Sequence, residues 1–340
     1  MKRTPEKLLL AHGSGGRLTH DLVEGTFLPA LDNPFLQPLS DSAILPELPA
    51  GRPALTTDGF VVDPPVFPGG DLGYLSVCGT VNDLTVAGAR PCWLTWALIL
   101  EEGADGELIR RCAEGAARAA DEAGVQIVAG DTKVVPRGKG DRVYAVTAGL
   151  GVVPPAREVT DSRIAVGDVV IASGPLGDHG ATIMAARHGL DAGGLTSDCA
   201  PLNGLVESLF DAGIDVHSMH DPTRGGALTV CNEVAERSST RIVLTETAVP
   251  VRPQVRAVCE LLGLEVLWLA CEGRVLAWVA ADQADAAIEA FRSHPAGRNA
   301  AVFARVEERH EGAAPVVMET EVGSSRPLDM LSGSDLPRIC

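Results

Sequence analysis

The chain has 340 residues, long for a single core, so two domains are expected. Its 28 Lys and Arg stand against 45 Asp and Glu, a net charge of −17, which disfavours binding to nucleic acid or an anionic membrane. An anionic substrate must then be met by local cations, and carboxylates offer sites for hard ones such as magnesium. No apolar run is long enough to span a membrane, and no secretory h-region precedes the body of the chain, so a cytoplasmic protein with reduced thiols is expected.

Residues 1–50 read as loop, with Gly13-Ser14-Gly15-Gly16 followed by Pro29, Pro34, Pro38, Pro46 and Pro49. Ala54–Thr57 reads as a short strand that delivers Asp58, Leu72–Ala89 as a helix of small residues, and Trp93–Leu100 as a buried strand. Asp105–Ala123 is a helix with Leu108, Cys112, Ala116 and Ala119 on one face, stopped by Gly124. Strands follow at Val125–Ala129, ending at Gly130-Asp131, and at Val143–Val153. Pro154-Pro155 marks a boundary.

A second α/β series begins with strand Val169–Ala172, which runs into the glycine-rich segment Gly174–Gly180. Helices are expected at Ala181–His188, Leu202–Ala212, after Gly226, and at Ala281–His294. Strands are expected at Arg241–Thr245, Leu264–Leu269, Arg274–Ala280 and Ala300–Val306, and the polar tail from Glu319 onward reads as irregular. Strand–helix alternation in both halves predicts two α/β (α+β) domains.

The chemistry concentrates in acidic residues at expected element ends. Asp58 and Asp131 follow strands, and Asp83 lies in Val81-Asn82-Asp83-Leu84. Three such aspartates converging would hold magnesium against phosphate, with Lys133 as a point charge on its oxygens. The alternative is that each caps a turn or helix. Neither GxxxxGK[ST] nor GxGxxG occurs. The cluster Gly13, Gly15 and Gly16 could wrap a phosphate with backbone N–H groups, and Gly174–Gly180 has the setting of an anion site at a helix start. Asp221-Pro222-Thr223-Arg224-Gly225-Gly226 combines a carboxylate, a guanidinium and flexible backbone before a helix. His217 and His220 stand three apart without a third ligand close in sequence, and Glu272 sits at a strand–strand junction as a base or a turn residue.

The eight cysteines form no CxxC and no zinc spacing. Seven have apolar or helical surroundings and read as buried. Cys340, in Leu336-Pro337-Arg338-Ile339-Cys340, reads as a reactive thiol on a flexible tail that packs nothing.

Together these motifs resemble the HypE family of carbamoyl dehydratases, hydrogenase-maturation proteins of the PurM-like ATP-binding superfamily. Gly13-Ser14-Gly15-Gly16, Thr57-Asp58, Val81–Leu84, Gly130-Asp131-Thr132-Lys133-Val134, Asp221–Gly226 and Glu272-Gly273-Arg274 run in order across nearly the whole chain, and Pro337-Arg338-Ile339-Cys340 picks out the branch. Cys271, before Glu272, departs from the small or polar residue expected there.

The resemblance implies a PurM-like fold of four parts. Residues 1–40 form a Gly/Pro-rich loop segment and 41–155 an N-terminal ATP-binding domain whose mixed sheet, including Trp93–Leu100, pairs across a homodimer. Residues 156–325 form a C-terminal α/β domain, and 326–340 a tail ending in the reactive cysteine. ATP would contact Gly13, Gly15, Gly16, Asp41, Asn82, Thr132, Asp221, Thr223, Arg224 and Gly225, with Mg2+ on Asp58, Asp83 and Asp131. The implied reaction loads a carbamoyl group onto Cys340 from HypF and dehydrates it with ATP to an S-cyanate. The cyano group then passes to iron on a HypC–HypD complex, and Glu272 and Lys133 handle protons and oxygen charge. Two rivals remain at this point: another small-molecule kinase or synthetase of the superfamily, and a thiol-tailed binding module.

Overall fold

A computed structural model describes residues 3–330 and 339–340. The tail-motif residues Pro337 and Arg338 therefore lie outside the described residues. The chain divides into two units. The first comprises Met1–Leu84, Ala89–Pro155 and Cys340, and the second Thr85–Gly88 and Ala156–Ile339.

In the first unit, β1 (Arg52–Phe60), β2 (Arg90–Glu101), β3 (Gln126–Val135) and β4 (Val143–Val153) form one sheet in the order β1-β4-β2-β3. β4 runs antiparallel to β1 and β2, and β2 runs parallel to β3. Parallel neighbours need a crossover, which here is the helix Gly106–Ala123, residues that lie between β2 and β3 in sequence. A second helix, Leu72–Val86, covers the inner sheet face, where Trp96 Nε1 donates to Ser76 Oγ at 2.8 Å. Taken in chain order, Arg17–Leu22 is α1, Leu72–Val86 is α2 and Gly106–Ala123 is α3. α2 and α3 touch because Gly73 has no side chain: a Cβ there would lie 1.7 Å from the Cys112 carbonyl oxygen. α3 starts on Asp105, whose carboxylate accepts from Glu107 N at 2.9 Å, and ends on left-handed Gly124. Ile109, rather than Leu108, is fully buried on its face.

Two expectations fail in this unit. Residues 17–31 are helical, not loop: α1 continues through further turns to Leu31, and Phe27 packs edge-on against Trp96 with centroids 6.2 Å apart. Pro29 misled the reading, since it sits in the first turn of the last helical piece, where proline is tolerated. Asp58 and Asp131 do not follow their strands; both lie inside them, because β1 runs to Phe60 and β3 to Val135.

The second unit has a seven-stranded sheet. Its strands are β5 (Asp168–Ala172), β6 (Val216–His220), β7 (Thr240–Thr245), β8 (Leu276–Ala280), β9 (Ala301–Glu308), β10 (Val316–Glu319) and β11 (Ser325–Pro327), in the order β11-β10-β7-β9-β5-β8-β6. Helices cover both faces. α6 (Gly226–Ser238) packs with Trp278 and Phe303 in one core, whereas α5 (Asn203–Asp211) and α8 (Ala284–Arg292) pack with Ile171 and Val279 in the other. α4 (Asp178–His188) and α7 (Pro253–Leu262) share a third apolar cluster with Leu269.

Leu264–Leu269 is not a strand. A 3-10 turn at Val266–Trp268 takes its place, with Leu269 N donating to Val266 O at 3.0 Å. The tail from Glu319 is not irregular throughout, since β10 and β11 add to the sheet edge. β6 was hidden by its two histidines. Residue 217 falls at a bulge in the pairing of β6 with β8, and the two imidazoles take different partners rather than a common metal. Each instead meets a carboxylate: His217 Nδ1 lies 2.7 Å from Asp168 Oδ2, and His220 Nε2 lies 2.8 Å from Asp161 Oδ1.

Candidate active site

Side chains alternate along β1, so Thr56, Asp58 and Phe60 share the inner sheet face under α2. Thr56 Oγ1 donates to Asp83 Oδ2 at 2.7 Å. A Cβ on Gly79, one helical turn before Asp83, would lie 4.0 Å from Asp58 Oδ2. Asp58 and Asp83 are thus neighbours under one stretch of α2, where Asn82 is buried.

Asp131 is elsewhere. It pairs with Ala97 and Lys133 with Ile99, both on the outer sheet face, and β3 is the far edge from β1. Lys133 Nζ lies 2.6 Å from both Asp131 carboxylate oxygens and holds that carboxyl below the usual range. The two side chains are 63% and 60% exposed, so the pair contributes well under about 1 kcal/mol of stability. Three interstrand steps of ~4.8 Å separate β1 from β3. The expected convergence of Asp58, Asp83 and Asp131 therefore does not occur within the chain, and among the described residues no group of three Asp, Glu, His or Cys is gathered for a cation.

A cavity of about 240 Å³ opens beside β3. Phe27, Leu31, Phe35, Trp96 and Ile127 give it apolar walls, and Asp41, Asp131 and Thr132 line it with polar groups. Such a mixture suits a ligand with a flat apolar part and a charged part. Gly13 packs on the same strand: a Cβ there would lie 2.5 Å from Val134 N. Gly15 has φ +78 and its N–H donates to Thr19 Oγ1 at 3.0 Å, and Gly16 leads into α1. The sequence-predicted Gly13, Gly15, Gly16, Asp41, Asp131, Thr132 and Lys133 therefore gather at one end of β3.

In the second unit, Glu272 is buried, and its N–H donates to Asp198 Oδ1 at 3.1 Å. Buried carboxylates cost several kcal/mol unless paired. Here Arg274, itself buried, lies 3.4 Å from Asp178 Oδ2 and 3.6 Å from Asp198 Oδ2, and Arg252 Nε donates to Asp178 at 2.8 Å. Burial pushes both aspartate carboxyls up, against the pull of these guanidiniums. Asp178 also fills the start of α4, so the Gly174–Gly180 segment delivers a carboxylate where an anion was expected.

Cys271, next to Glu272, donates its N–H to Pro222 O of the Asp221–Gly226 motif at 2.9 Å. Gly225 and Gly226 are both left-handed (φ +77 and +63), and a Cβ on Gly226 would strike Leu267 O at 2.4 Å. Thr223 N donates to Asp221 O at 2.9 Å, and Arg224 is exposed at the tip of the turn.

Cysteine exposure does not single out Cys340. Six of the others are buried, but Cys92 is half-exposed like Cys340, contrary to expectation. Cys271 is a core thiol that accepts from Gly177 N at 3.1 Å, and burial drives it well above the usual thiol range. Val61 N donates to the backbone oxygen of Cys340 at 3.2 Å, and Ile339 is buried, so these two residues do pack.

Sequence reasoning missed His179, Ser197 and Asp198. His179 is fully buried, with Nδ1 2.8 Å from Ser197 Oγ and Nε2 2.8 Å from the Ile339 carbonyl oxygen. The available signal was the polar run Thr196-Ser197-Asp198-Cys199 between two helices, and the histidine inside a glycine-rich segment.

Models of the AIR synthase related protein N-terminal and C-terminal domains match residues 40–153 and 165–317. The carbamoyl dehydratase HypE of Rhodobacter capsulatus is 47% identical over 340 residues, 98% of each chain. A crystal structure of the hydrogenase maturation protein HypE in complex with ATP superposes with a TM-score of 0.93 at 45% identity, covering 98% of this chain and 100% of that one. HypE in a HypE–HypF complex gives a TM-score of 0.79 at 41% identity, covering 93% and 100%.

Proposed function

The chain belongs to the HypE family of carbamoyl dehydratases, enzymes of hydrogenase maturation, and from that premise we propose that it uses ATP to dehydrate an S-carboxamide on Cys340 to an S-cyanate, the source of cyanide ligands for a [NiFe]-hydrogenase iron. The observation that carries this is identity of 47% along 98% of the chain to a named carbamoyl dehydratase. A small-molecule kinase of similar fold would turn over ATP without Cys340, and a binding module would not turn it over at all.

The chemistry balances in two steps. The carboxamide oxygen attacks the γ-phosphorus of ATP and ADP leaves. The N–H protons are then lost as the C–O bond breaks, releasing phosphate and leaving S–C≡N. Amide oxygen is a poor leaving group and phosphate a good one, so positioning and charge neutralisation carry the catalysis. ATP occupies the cavity beside β3, which Thr132 lines, with the Gly13–Gly16 turn, packed on β3 at Val134, offered to its phosphates. Lys133 turns from Asp131 toward the transferred phosphoryl group. Asn82 is the further nucleotide contact proposed in the first unit, and the turn of Asp221, Thr223, Arg224 and Gly225 is a separate candidate contact within the second unit. Glu272 accepts a proton from the carboxamide nitrogen.

Asp58 and Asp83 offer the oxygen donors a hard cation prefers, close together under α2. Asp58, Asp83 and Asp131 would hold Mg2+, which when bound neutralises phosphate charge.

A homodimer supplies what one chain lacks. The outer sheet face exposes Leu55 (78%), Val146 (40%) and Ile99 (36%). An apolar sheet face of this kind marks an interface, and two copies joined through it can bring Asp131 of one to the Asp58 and Asp83 of the other. HypF loads the carbamoyl group, and a HypC–HypD complex accepts the cyano group. The test is mass spectrometry of the tail after incubation with HypF, carbamoyl phosphate and ATP. A carbamoyl adduct that then loses one water supports the reading, and ATP cleavage with no change at Cys340 refutes it.

A further inference from the structure

We infer that His179 and Ser197 form a latch that grips the C-terminal tail by its main chain at Ile339, and so registers Cys340 for dehydration. The inference rests on the reading of Cys340 as the carrier.

The tautomer follows from the partners. A carbonyl oxygen only accepts, so His179 Nε2 carries the hydrogen and donates it to Ile339 O at 2.8 Å. Nδ1 must then accept, and the Ser197 hydroxyl donates to it at 2.8 Å. Ser197 Oγ in turn accepts from Cys199 N at 3.0 Å. The result is a directed chain from Cys199 N–H through Ser197 and His179 to the Ile339 carbonyl. With the tail in place His179 is fully buried, so its bond to Ile339 forms away from water. The Ile339 side chain is also buried, which adds an apolar anchor to the main-chain grip.

The same turn holds Glu272. Asp198 Oδ1 accepts from Glu272 N at 3.1 Å, and Ala200 N donates to Glu272 O at 3.4 Å. Residues 197–200 therefore fix both the histidine that holds the tail and the backbone of the proposed base. Loading by a partner requires the tail to leave, and dehydration requires it to return to one register. A grip on backbone at residue 339 meets both needs, because it does not depend on whether the thiol carries a carbamoyl group. His179 is argued to act through the main chain of Ile339, so it is a positioning residue.

The experiment measures iodoacetamide labelling of Cys340 in the full chain, read by mass spectrometry of the tail peptide, in His179→Ala, His179→Gln and Ser197→Ala. Losing a net hydrogen bond of ~1 kcal/mol raises the released fraction about fivefold. We expect His179→Ala to label about fivefold faster, Ser197→Ala to fall between it and wild type, and His179→Gln, which keeps an N–H donor at the same reach, to label near the wild-type rate. Dehydration of preloaded carbamoyl-Cys340 should slow in the same order while ATP affinity stays unchanged. Wild-type labelling in both His179→Ala and Ser197→Ala overturns the latch, as does His179→Gln labelling as fast as His179→Ala. If His179→Ala does not fold, Ser197→Ala decides. Faster labelling together with no S-cyanate in wild type would keep the latch and sink the carrier reading, so the two fail separately.

Discussion

Asp58 and Asp131 stand on opposite faces of one four-stranded sheet, with two strands between them. A nucleotide site that uses both must therefore draw them from different copies of the chain. Asp83→Asn and Asp131→Asn should each abolish ATP cleavage while the melt stays within a few degrees, since each loses only about 1 kcal/mol. Mixed after dissociation and reassociation, the two variants should recover about a quarter of wild-type activity, because half the dimers are mixed and each holds one intact site. No recovery in the mixture would place the whole site within one chain.

The sequence made the acidic residues legible but not their meeting. A strand was expected to stop before Asp58 and Asp131, because aspartate disfavours strands. In the structure both continue within the ladder, and the period of two then decides which face each carboxylate takes. Pairing register, not propensity, sends Asp131 outward beside Lys133. The helix at residues 17–31, which lines the cavity with Phe27 and Leu31, was obscured by Gly25 and Pro29 within it. The role of His179 was signalled only by a histidine inside a glycine-rich segment, since its partners lie 18 and 160 residues away.

Lys133→Ala should lose phosphoryl transfer yet keep its melting temperature. The exposed pair with Asp131 contributes little to stability, whereas in the proposed mechanism the ammonium offsets charge on the transferred group. The tail should accumulate the carbamoyl adduct without loss of water. A variant that forms S-cyanate at the wild-type rate would remove Lys133 from the mechanism.

Glu272→Gln keeps the buried shape and the backbone bond to Asp198. It should accept the carbamoyl group, bind ATP and stall before S-cyanate, with a drop of at least about 10²-fold in the dehydration rate. Dehydration at an unchanged rate would assign the proton to another acceptor.

Burial depresses His179 to about 4, against the pull of the Ile339 carbonyl. An unfolded histidine titrates near 6.5, so between about 6.5 and 4 the unfolded chain binds the extra proton. Stability contributed at this site is full above that window and falls as pH drops through it, by up to about 3 kcal/mol. Denaturant melts of His179→Gln should show a flatter loss between pH 7 and pH 4.5 than wild type. Identical slopes would mean that His179 is charged in the folded protein, which the donor to Ile339 allows but the acceptor from Ser197 does not.

The most direct measurement follows the mass of wild-type and Cys340→Ala protein during incubation with HypF, carbamoyl phosphate, ATP and magnesium. Wild type should gain one carbamoyl group on the tail peptide and then lose one water, with one ATP cleaved per dehydration. Cys340→Ala should fold, bind ATP, gain nothing and leave ATP uncleaved. Cyano-group formation by Cys340→Ala, or dehydration in wild type at any other residue, would contradict the account.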